Sequence, residues 1–326
     1  MINNRQKTLK KEYSFSGKGL HTGVYVNMIL APAPVNTGVV FVRTDIGPEA
    51  KIEAIVDYVT MTARGTTLQK GDIKVSTIEH ILSAFVGLGV DNAYVYIDGP
   101  EAPIMDGSAK PFVEAIAPNG FDGGEVGGTI EGVVEQDAPI DYFVVDEEIS
   151  FVDEKSGSKL VLSPSDDTEV DLVVDYNSKV LGVQQAYFSS KKTNYISEIA
   201  CCRTFCFFHE IEFMFKNNLI KGGDLDNAIV IAEYEVPQEE LDKISTLLNV
   251  ERVERVPEGY LNNISLRFPN ECARHKLLDI MGDFALSGYR IKGKVTAYKS
   301  GHAVNTQMAK LIREKKREGI CKMSRE

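Results

Sequence analysis

The sequence predicts an α+β protein of two related α/β sandwich domains, each a sheet layered with helices, with the functional site at their junction. Three observations predict it. Segments of alternating β-formers are followed by a helical repeat with ionisable residues, then a strand and another helix, and this order occurs twice in the 326 residues. A glycine-rich acidic stretch, residues 119–128 (NGFDGGEVGG), separates the two occurrences. The histidines and carboxylates able to share an ion fall on helices in different halves. The expected division is residues 1–122, a linker at 123–128, and a second α+β domain at 129–326 with an inserted hydrophobic-channel segment.

Residues 12–30 read as a hairpin turning near His21-Thr22-Gly23. Residues 39–43 and 52–56 alternate as strands. Residues 76–87 read as a helix because Ile78, Ile81, Leu82, Phe85 and Val86 recur at helical spacing, with Ser76 or Thr77 as its cap. A strand at 92–97 ends in Asp98-Gly99-Pro100, and 107–117 reads as the next helix. In the second half, 140–145, 160–162 and 170–176 read as strands. Residues 208–217 read as a helix and 228–232 as a strand. A charged insertion at 235–259 carries a short helix at 241–248. Residues 267–286 contain a helix, 295–298 a strand, and 304–317 a basic helix. The stretch 186–199, with Tyr187, Phe188, Tyr195 and Ile196, is the candidate for an apolar channel, though an exposed loop reads as well.

Hydrophobic residues at 43% and charged residues at 25% describe a folded globular chain and exclude disordered or fibrous architectures. Thirty-six basic against forty-seven acidic residues leave a net charge of -11, which excludes a phosphate-tracking nucleic-acid surface. An anionic small molecule remains compatible, because local charge in a cleft can oppose the net sign. No apolar run reaches the length of a membrane span, and the polar first residues lack the apolar core of a secretory signal. The expected setting is the cytoplasm, as a monomer without an integral membrane segment. Cys201, Cys202, Cys206, Cys272 and Cys321 are an odd count without framework spacing and read as free thiols.

His275 and Asp279 lie four apart on a predicted helix and so face the same way, with Asp283 one turn further. His80 follows Glu79 on the first predicted helix. His80, His275 and Asp279 are a three-ligand set of the kind that leaves a fourth metal position open. Taken alone, a His-x3-Asp pair is as readily a surface salt bridge. His302 sits in a small-residue turn after a strand, and such histidines are often only exposed. His21 and His209 read as structural.

The runs Gly19-Leu20-His21-Thr22-Gly23, Ser76-Thr77-Ile78-Glu79-His80 and Pro103-Ile104-Met105-Asp106-Gly107-Ser108 occur in this order. Arg203-Thr204-Phe205, Gly222-Gly223, Asn227-Ala228-Ile229-Val230, Arg274-His275-Lys276 with Asp279, Gly282-Asp283 and Ser300-Gly301-His302 follow. Each motif is weak; the ordered set is specific. Over nearly the whole chain it resembles the UDP-3-O-acyl-N-acetylglucosamine deacetylases, zinc amidohydrolases of lipid A biosynthesis.

The resemblance implies that His80, His275 and Asp279 hold Zn2+ and that Glu79 is the general base. It implies that His302 is a second acid/base or electrostatic residue, that Asp283 orients it, and that Thr204 stabilises the oxyanion. Lys276 and Phe205 are implied to contact substrate, Tyr176 to stack on uridine, and Lys299 to lie near the diphosphate. The implied partner is a UDP-linked acyl-glucosamine. One departure is Cys206, where the family carries glycine after Thr-Phe. The sequence assigns no role to the 235–259 insertion. It does not decide whether the native product continues into a fused dehydratase domain, or whether Glu79 or His302 protonates the leaving amine. Two other classes stay in view, an inactive or binding-only homologue and a metal-free nucleotide-sugar enzyme with His302 as base. The intact Glu79, His80, His275, Asp279 set argues against the first, and metal content separates all three.

Overall fold

Two sheets of the same strand order frame the molecule. The computed structural model describes residues 5–121, 126–211, 221–222, 227–248, 252–261 and 265–323. The N-terminal sheet runs Tyr13–Lys18, Tyr25–Pro32, Ala93–Ile97, Val39–Arg43, Lys51–Glu53. Its neighbours are antiparallel except the pair Ala93–Ile97 with Val39–Arg43. The C-terminal sheet runs Ile149–Asp153, Ser158–Ser163, Arg290–Tyr298, Thr168–Asp175, Val183–Ser189. It has the same alternation, with Arg290–Tyr298 parallel to Thr168–Asp175. A short strand, Tyr142–Val144, adds in parallel to the start of Arg290–Tyr298. In each half a helix precedes the central strand and another follows it. These are Glu79–Leu88 and Lys110–Ile116 in the first half, Glu271–Ala285 and His302–Met323 in the second. The expected pair of related α+β halves is therefore a repeat of topology, not only of composition.

The helices Glu79–Leu88 and Glu271–Ala285 pack against each other between the sheets. Their apolar residues, among them Leu82, Phe85, Leu277 and Ile280, join Phe41 and Val95 of one sheet and Leu160 and Leu172 of the other in one continuous buried cluster. Two glycines set how close the parts come. A β-carbon on Gly282 would lie 2.1 Å from the carbonyl oxygen of Glu79, and one on Gly87 would lie 2.1 Å from the Tyr195 ring.

Each half also carries an insertion at the same point, between the fourth strand of its sheet in sequence and its first main helix. The first is a three-stranded sheet, Val59–Met61, Thr67–Lys70 and Ile73–Ser76. The second includes the parallel pair Phe205–Phe207 with Ile229–Ile231 and the helix Gln238–Leu248. The strand Val133–Pro139, just after the glycine-rich stretch, pairs with Arg5–Leu9 and so runs beside the N-terminus. Residues 123–125 of the expected linker lie outside the described residues, as do 212–217 of the expected 208–217 helix, whose residues 208–211 are helical.

Local expectations are corrected at two points. Neither Ser76 nor Thr77 caps the Glu79–Leu88 helix: Ser76 ends a strand, and Thr77 has a left-handed φ of 56° with its hydroxyl on Glu101 Oε1 at 2.8 Å. The strands Ile149–Asp153 and Val183–Ser189 were not expected. The second carries Phe188 of the anticipated channel segment, while Tyr195 and Ile196 are buried in the main core. Within 186–199, Phe188, Tyr195 and Ile196 are buried, while Tyr187 is exposed with its hydroxyl donating to Glu169.

Replacing Gly282 by Ala forces a methyl into the backbone of the opposite helix. We expect Gly282→Ala to cost about 1–3 kcal/mol of stability, measured as a lower urea or thermal unfolding midpoint. An unchanged midpoint would show that the helix pair relaxes without cost.

Candidate active site

The helix Glu79–Leu88 begins at the residue that matters for chemistry, with Ile78 before it in helical conformation. The approach to it is tied down by Glu101, fully buried, which accepts from the Thr77 hydroxyl, the His21 N–H at 3.0 Å and the Thr22 N–H at 2.8 Å. One carboxylate thus fixes the Gly19–Gly23 loop to the start of the helix. Glu79 and His80 then point into the helix–helix junction, 3% and 5% exposed.

Across the junction, His275 and Asp279 stand one turn apart on Glu271–Ala285, as helical geometry requires. One ligand atom from each of His80, His275 and Asp279 lies within 4.8 Å of the others, and all three residues are buried. The two imidazole rings meet edge to face with centroids 5.1 Å apart. His275 Nδ1 is 3.0 Å from the carbonyl oxygen of Cys202. A carbonyl only accepts, so Nδ1 carries the proton and Nε2 presents a lone pair. That lone pair faces Asp279 Oδ1 at 3.4 Å, and Asp279 Oδ1 is buried with no hydrogen-bond partner. Two buried acceptors turned toward each other suit a cation between them.

The electrostatics agree. Burial, reinforced by neighbouring His275, pushes His80 down to about 3, so it is neutral and able to ligate. Burial also lowers His275, against the pull of Asp279. Burial alone would raise Asp279, but Lys276, His275 and His302 hold it below the usual carboxylate range. The Lys276 ammonium is 2.8 Å from Asp279 Oδ2.

The flanking pair is set differently. Burial pushes Glu79 up to about 7 against the attraction of His302. Burial alone would lower His302, but the carboxylates of Asp283, Asp279 and Glu79 outweigh it and raise the imidazole to about 9. Asp283 Oδ2 accepts from His302 Nδ1 at 2.9 Å and from Asn305 Nδ2 at 2.9 Å. His302 Nε2 therefore faces the cluster, 3.9 Å from Glu79 Oε1 and 3.8 Å from Asp279 Oδ2.

A cavity of about 490 Å³ opens over this floor. It brings together every residue singled out in the sequence except Asp283: Glu79, His80, Tyr176, Thr204, Phe205, His275, Lys276, Asp279, Lys299 and His302 all line it. Asp283 is fully buried behind His302. Tyr176 stands edge-on to Phe205 and Phe207, with ring centroids 5.6 and 5.8 Å away. The Lys276 ammonium lies over the Phe205 ring at 5.5 Å. Lys299 is held at φ 53° and its ammonium is 3.3 Å from Asp175. Ile211 and Val230 extend the wall toward an apolar cluster of the second insertion. A larger cavity, about 1090 Å³, lies elsewhere at the junction. Its guanidinium groups are already paired, Arg290 with Asp91 and Arg313 with Asp57, and none of the cluster lines it.

Sequence reasoning missed three contributors. The carbonyl of Cys202 has no side-chain signature. Thr66, whose N–H donates to Glu79 Oε2 at 3.0 Å, lies in a segment with no motif. Asn305 follows His302 by three residues on the helix His302–Met323, but the sequence reading places His302 in a turn ahead of that helix.

Fold and site together define a class: a two-sheet α+β protein whose buried donor set of two imidazoles and one carboxylate suits a divalent cation, with an acid/base pair beside it. The family model described as LpxC, UDP-3-O-acyl N-acetylglycosamine deacetylase, matches residues 6–245 and 252–314, and the chain belongs to that family. It is 43% identical over 312 residues to the bifunctional enzyme LpxC/FabZ of Porphyromonas gingivalis and 42% over 310 to that of Bacteroides thetaiotaomicron. Each match covers 95% of this chain and 64% of the relative, so the chain spans less than two thirds of those proteins. It is 36% identical to the UDP-3-O-acyl-N-acetylglucosamine deacetylase of Coxiella burnetii, covering 94% of this chain and 90% of that one.

The Cys202 carbonyl is anchored through its neighbour. Arg203 and Glu271 form a buried ion pair at 2.9 Å, and Glu271 also accepts from the N–H groups of Arg203 and Arg267. Glu271→Ala leaves an unpaired buried guanidinium and should cost on the order of 3–5 kcal/mol. Chemical denaturation reads the cost. A loss below about 1 kcal/mol, the range of an exposed pair, would contradict the burial assigned to it.

Proposed function

We propose that the chain hydrolyses the N-acetyl group of a UDP-3-O-acyl-N-acetylglucosamine, releasing acetate for lipid A biosynthesis, with Zn2+ held by His80, His275 and Asp279. The observation that carries this reading is the buried His80, His275, Asp279 set, flanked by Glu79 and a charged His302, in a chain of this family. When bound, the ion supplies Lewis acidity toward the amide carbonyl and lowers the pKa of water near neutrality.

The remaining chemistry belongs to side chains. Glu79 is fixed through Oε2 by the Thr66 N–H, which leaves Oε1 facing the cluster. A carboxyl pushed up to about 7 by burial is a competent base and afterwards a competent acid near neutral pH. His302, kept as an imidazolium by Asp283, stabilises the negative charge that develops on the carbonyl oxygen and can deliver a proton to the departing amine. Thr204, on the cavity wall, is assigned the hydrogen bond to that oxygen. Tyr176 and Phe205 offer aromatic faces to uracil and sugar, and Lys276 and Lys299 offer positive charge to the substrate. The cytoplasmic setting stays with the proposal and is supported by free thiols at Cys201, Cys202, Cys206 and Cys272. Among the described residues no helix is long and apolar enough to cross a membrane.

Two experiments test the assignment. His80→Ala leaves two ligands, and the purified variant should hold far less than stoichiometric zinc under conditions that fully load the parent. Full loading of the variant would remove His80 from the metal site. The second concerns pH. His302, faced by Asp283, Asp279 and Glu79, is charged below its raised value and neutral above it. A rate that needs the imidazolium should be present at neutral pH and fall as pH rises through about 9. His302→Gln should lose roughly 10²-fold in kcat/KM and lack that limb, with zinc content unchanged. A variant that keeps both rate and limb would show that Glu79 alone moves the proton.

A further inference from the structure

Thr66 is fully buried and belongs to no motif, yet it contacts both halves of the acid/base pair. Its N–H donates to Glu79 Oε2 at 3.0 Å. Its hydroxyl donates to Asp283 Oδ1 at 2.6 Å, and the same oxygen lies 3.4 Å from His302 Nδ1. The geometry points to Thr66 as a positioning residue that sets the separation and orientation of Glu79 and His302 by holding Glu79 and Asp283 from one rigid unit. The inference rests on the deacetylase reading above.

The donor and acceptor accounting supports it. Asp283 has two oxygens and three partners. Oδ2 takes His302 Nδ1 and Asn305 Nδ2, and Oδ1 takes the Thr66 hydroxyl. The imidazole proton on Nδ1 is directed at Oδ2, so the Thr66 hydroxyl proton is free to go to Oδ1. Without that hydroxyl, Oδ1 is left unsatisfied at a fully buried position and the carboxylate loses the bond that stops it turning. His302 turns with it, because Asp283 is what holds the ring. A threonine is suited to this task, since its branched β-carbon restricts χ1 and fixes the hydroxyl relative to the N–H.

The segment around Thr66 is built to bring it there. Arg64 is held at φ 61°, a left-handed conformation that non-glycine residues rarely adopt. Its guanidinium pairs with Glu210 at 2.8 Å and its carbonyl oxygen lies 3.3 Å from His21 Nε2. Gly65 passes so near the site that a β-carbon there would lie 3.1 Å from Glu79 Oε1. Thr66 then leads directly into the strand Thr67–Lys70 of the first insertion. The insertion of the N-terminal half therefore reaches Asp283 and His302, which belong to the other half.

The test uses Thr66→Val, which keeps shape and N–H but not the hydroxyl, and Thr66→Ser, which restores the hydroxyl. With zinc-loaded enzyme and UDP-3-O-acyl-N-acetylglucosamine, Thr66→Val should lose on the order of 10-fold to 100-fold in kcat with little change in KM. Thr66→Ser should recover most of it. A second readout needs no turnover. In metal-free protein with 15N-labelled histidine, the His302 Nδ1–H signal, assigned by its loss in His302→Gln, should move in the Val variant and stay in the Ser variant. Should Thr66→Val fail to fold, Thr66→Ala carries the same comparison. Parental kcat and an unmoved signal in the Val variant would overturn the inference. So would equal losses in Val and Ser that follow a common loss of thermal stability. If the parent itself does not turn over the substrate, the deacetylase reading fails, and the imidazole signal alone decides the role of Thr66.

Discussion

The crossing of two helices, Glu79–Leu88 and Glu271–Ala285, is the contact on which the rest depends. Gly282 lets it close until the backbone of one helix touches that of the other. The closeness brings His80 within ligand distance of His275 and Asp279, and it excludes most water from all three at the floor of the cavity. Exclusion is costly for ionisable groups, and the surroundings show how the cost is offset. The Lys276 ammonium and the His302 imidazolium face the carboxyl groups of Glu79, Asp279 and Asp283, while both ligand histidines are held neutral by burial. The junction therefore gathers more carboxyl groups than cations, with lone pairs turned inward, an arrangement that a divalent cation complements.

The repeated topology explains why such a junction forms at all. Each half places a helix just before its central strand and an insertion just before that helix. When the two helices pack against each other, both insertions are carried to the same place. One contributes Arg64 and Thr66, the other Thr204 and Phe205. The first half also holds Thr77 in a left-handed conformation beside Arg64, and Lys299 in the second half shares it. Strain of this kind persists where surrounding contacts over-determine the chain, and here the contacts are Glu101 under Thr77, Glu210 beside Arg64 and Asp175 beside Lys299.

Periodicity made the helices legible, and chemistry on a helix face made the ligand set legible. His275 and Asp279 were visible because a side chain four residues on shares its face. The order of short motifs then carried the family. What could not be read is whatever depends on backbone. The Cys202 carbonyl orients His275, yet any residue type has a carbonyl. Thr77 looks like a helix cap by type, but a left-handed turn sends its hydroxyl to Glu101 instead. The strand Val183–Ser189 was hidden because Gln184 and Gln185 break its alternation before Phe188 restores it.

The acid/base pair shows how one environment can tune two groups for complementary tasks. Burial raises a carboxyl and lowers an imidazole, so burial alone would leave both Glu79 and His302 neutral. Asp283 breaks that symmetry. It stands directly against His302 at 2.9 Å and is separated from Glu79 by Thr66, which donates to both carboxylates. Its charge therefore acts most strongly on the imidazole and holds it protonated, while Glu79 is left near neutrality, able to accept a proton and to return it. The position of one buried carboxylate, behind the imidazole and not between the pair, is what separates the two roles.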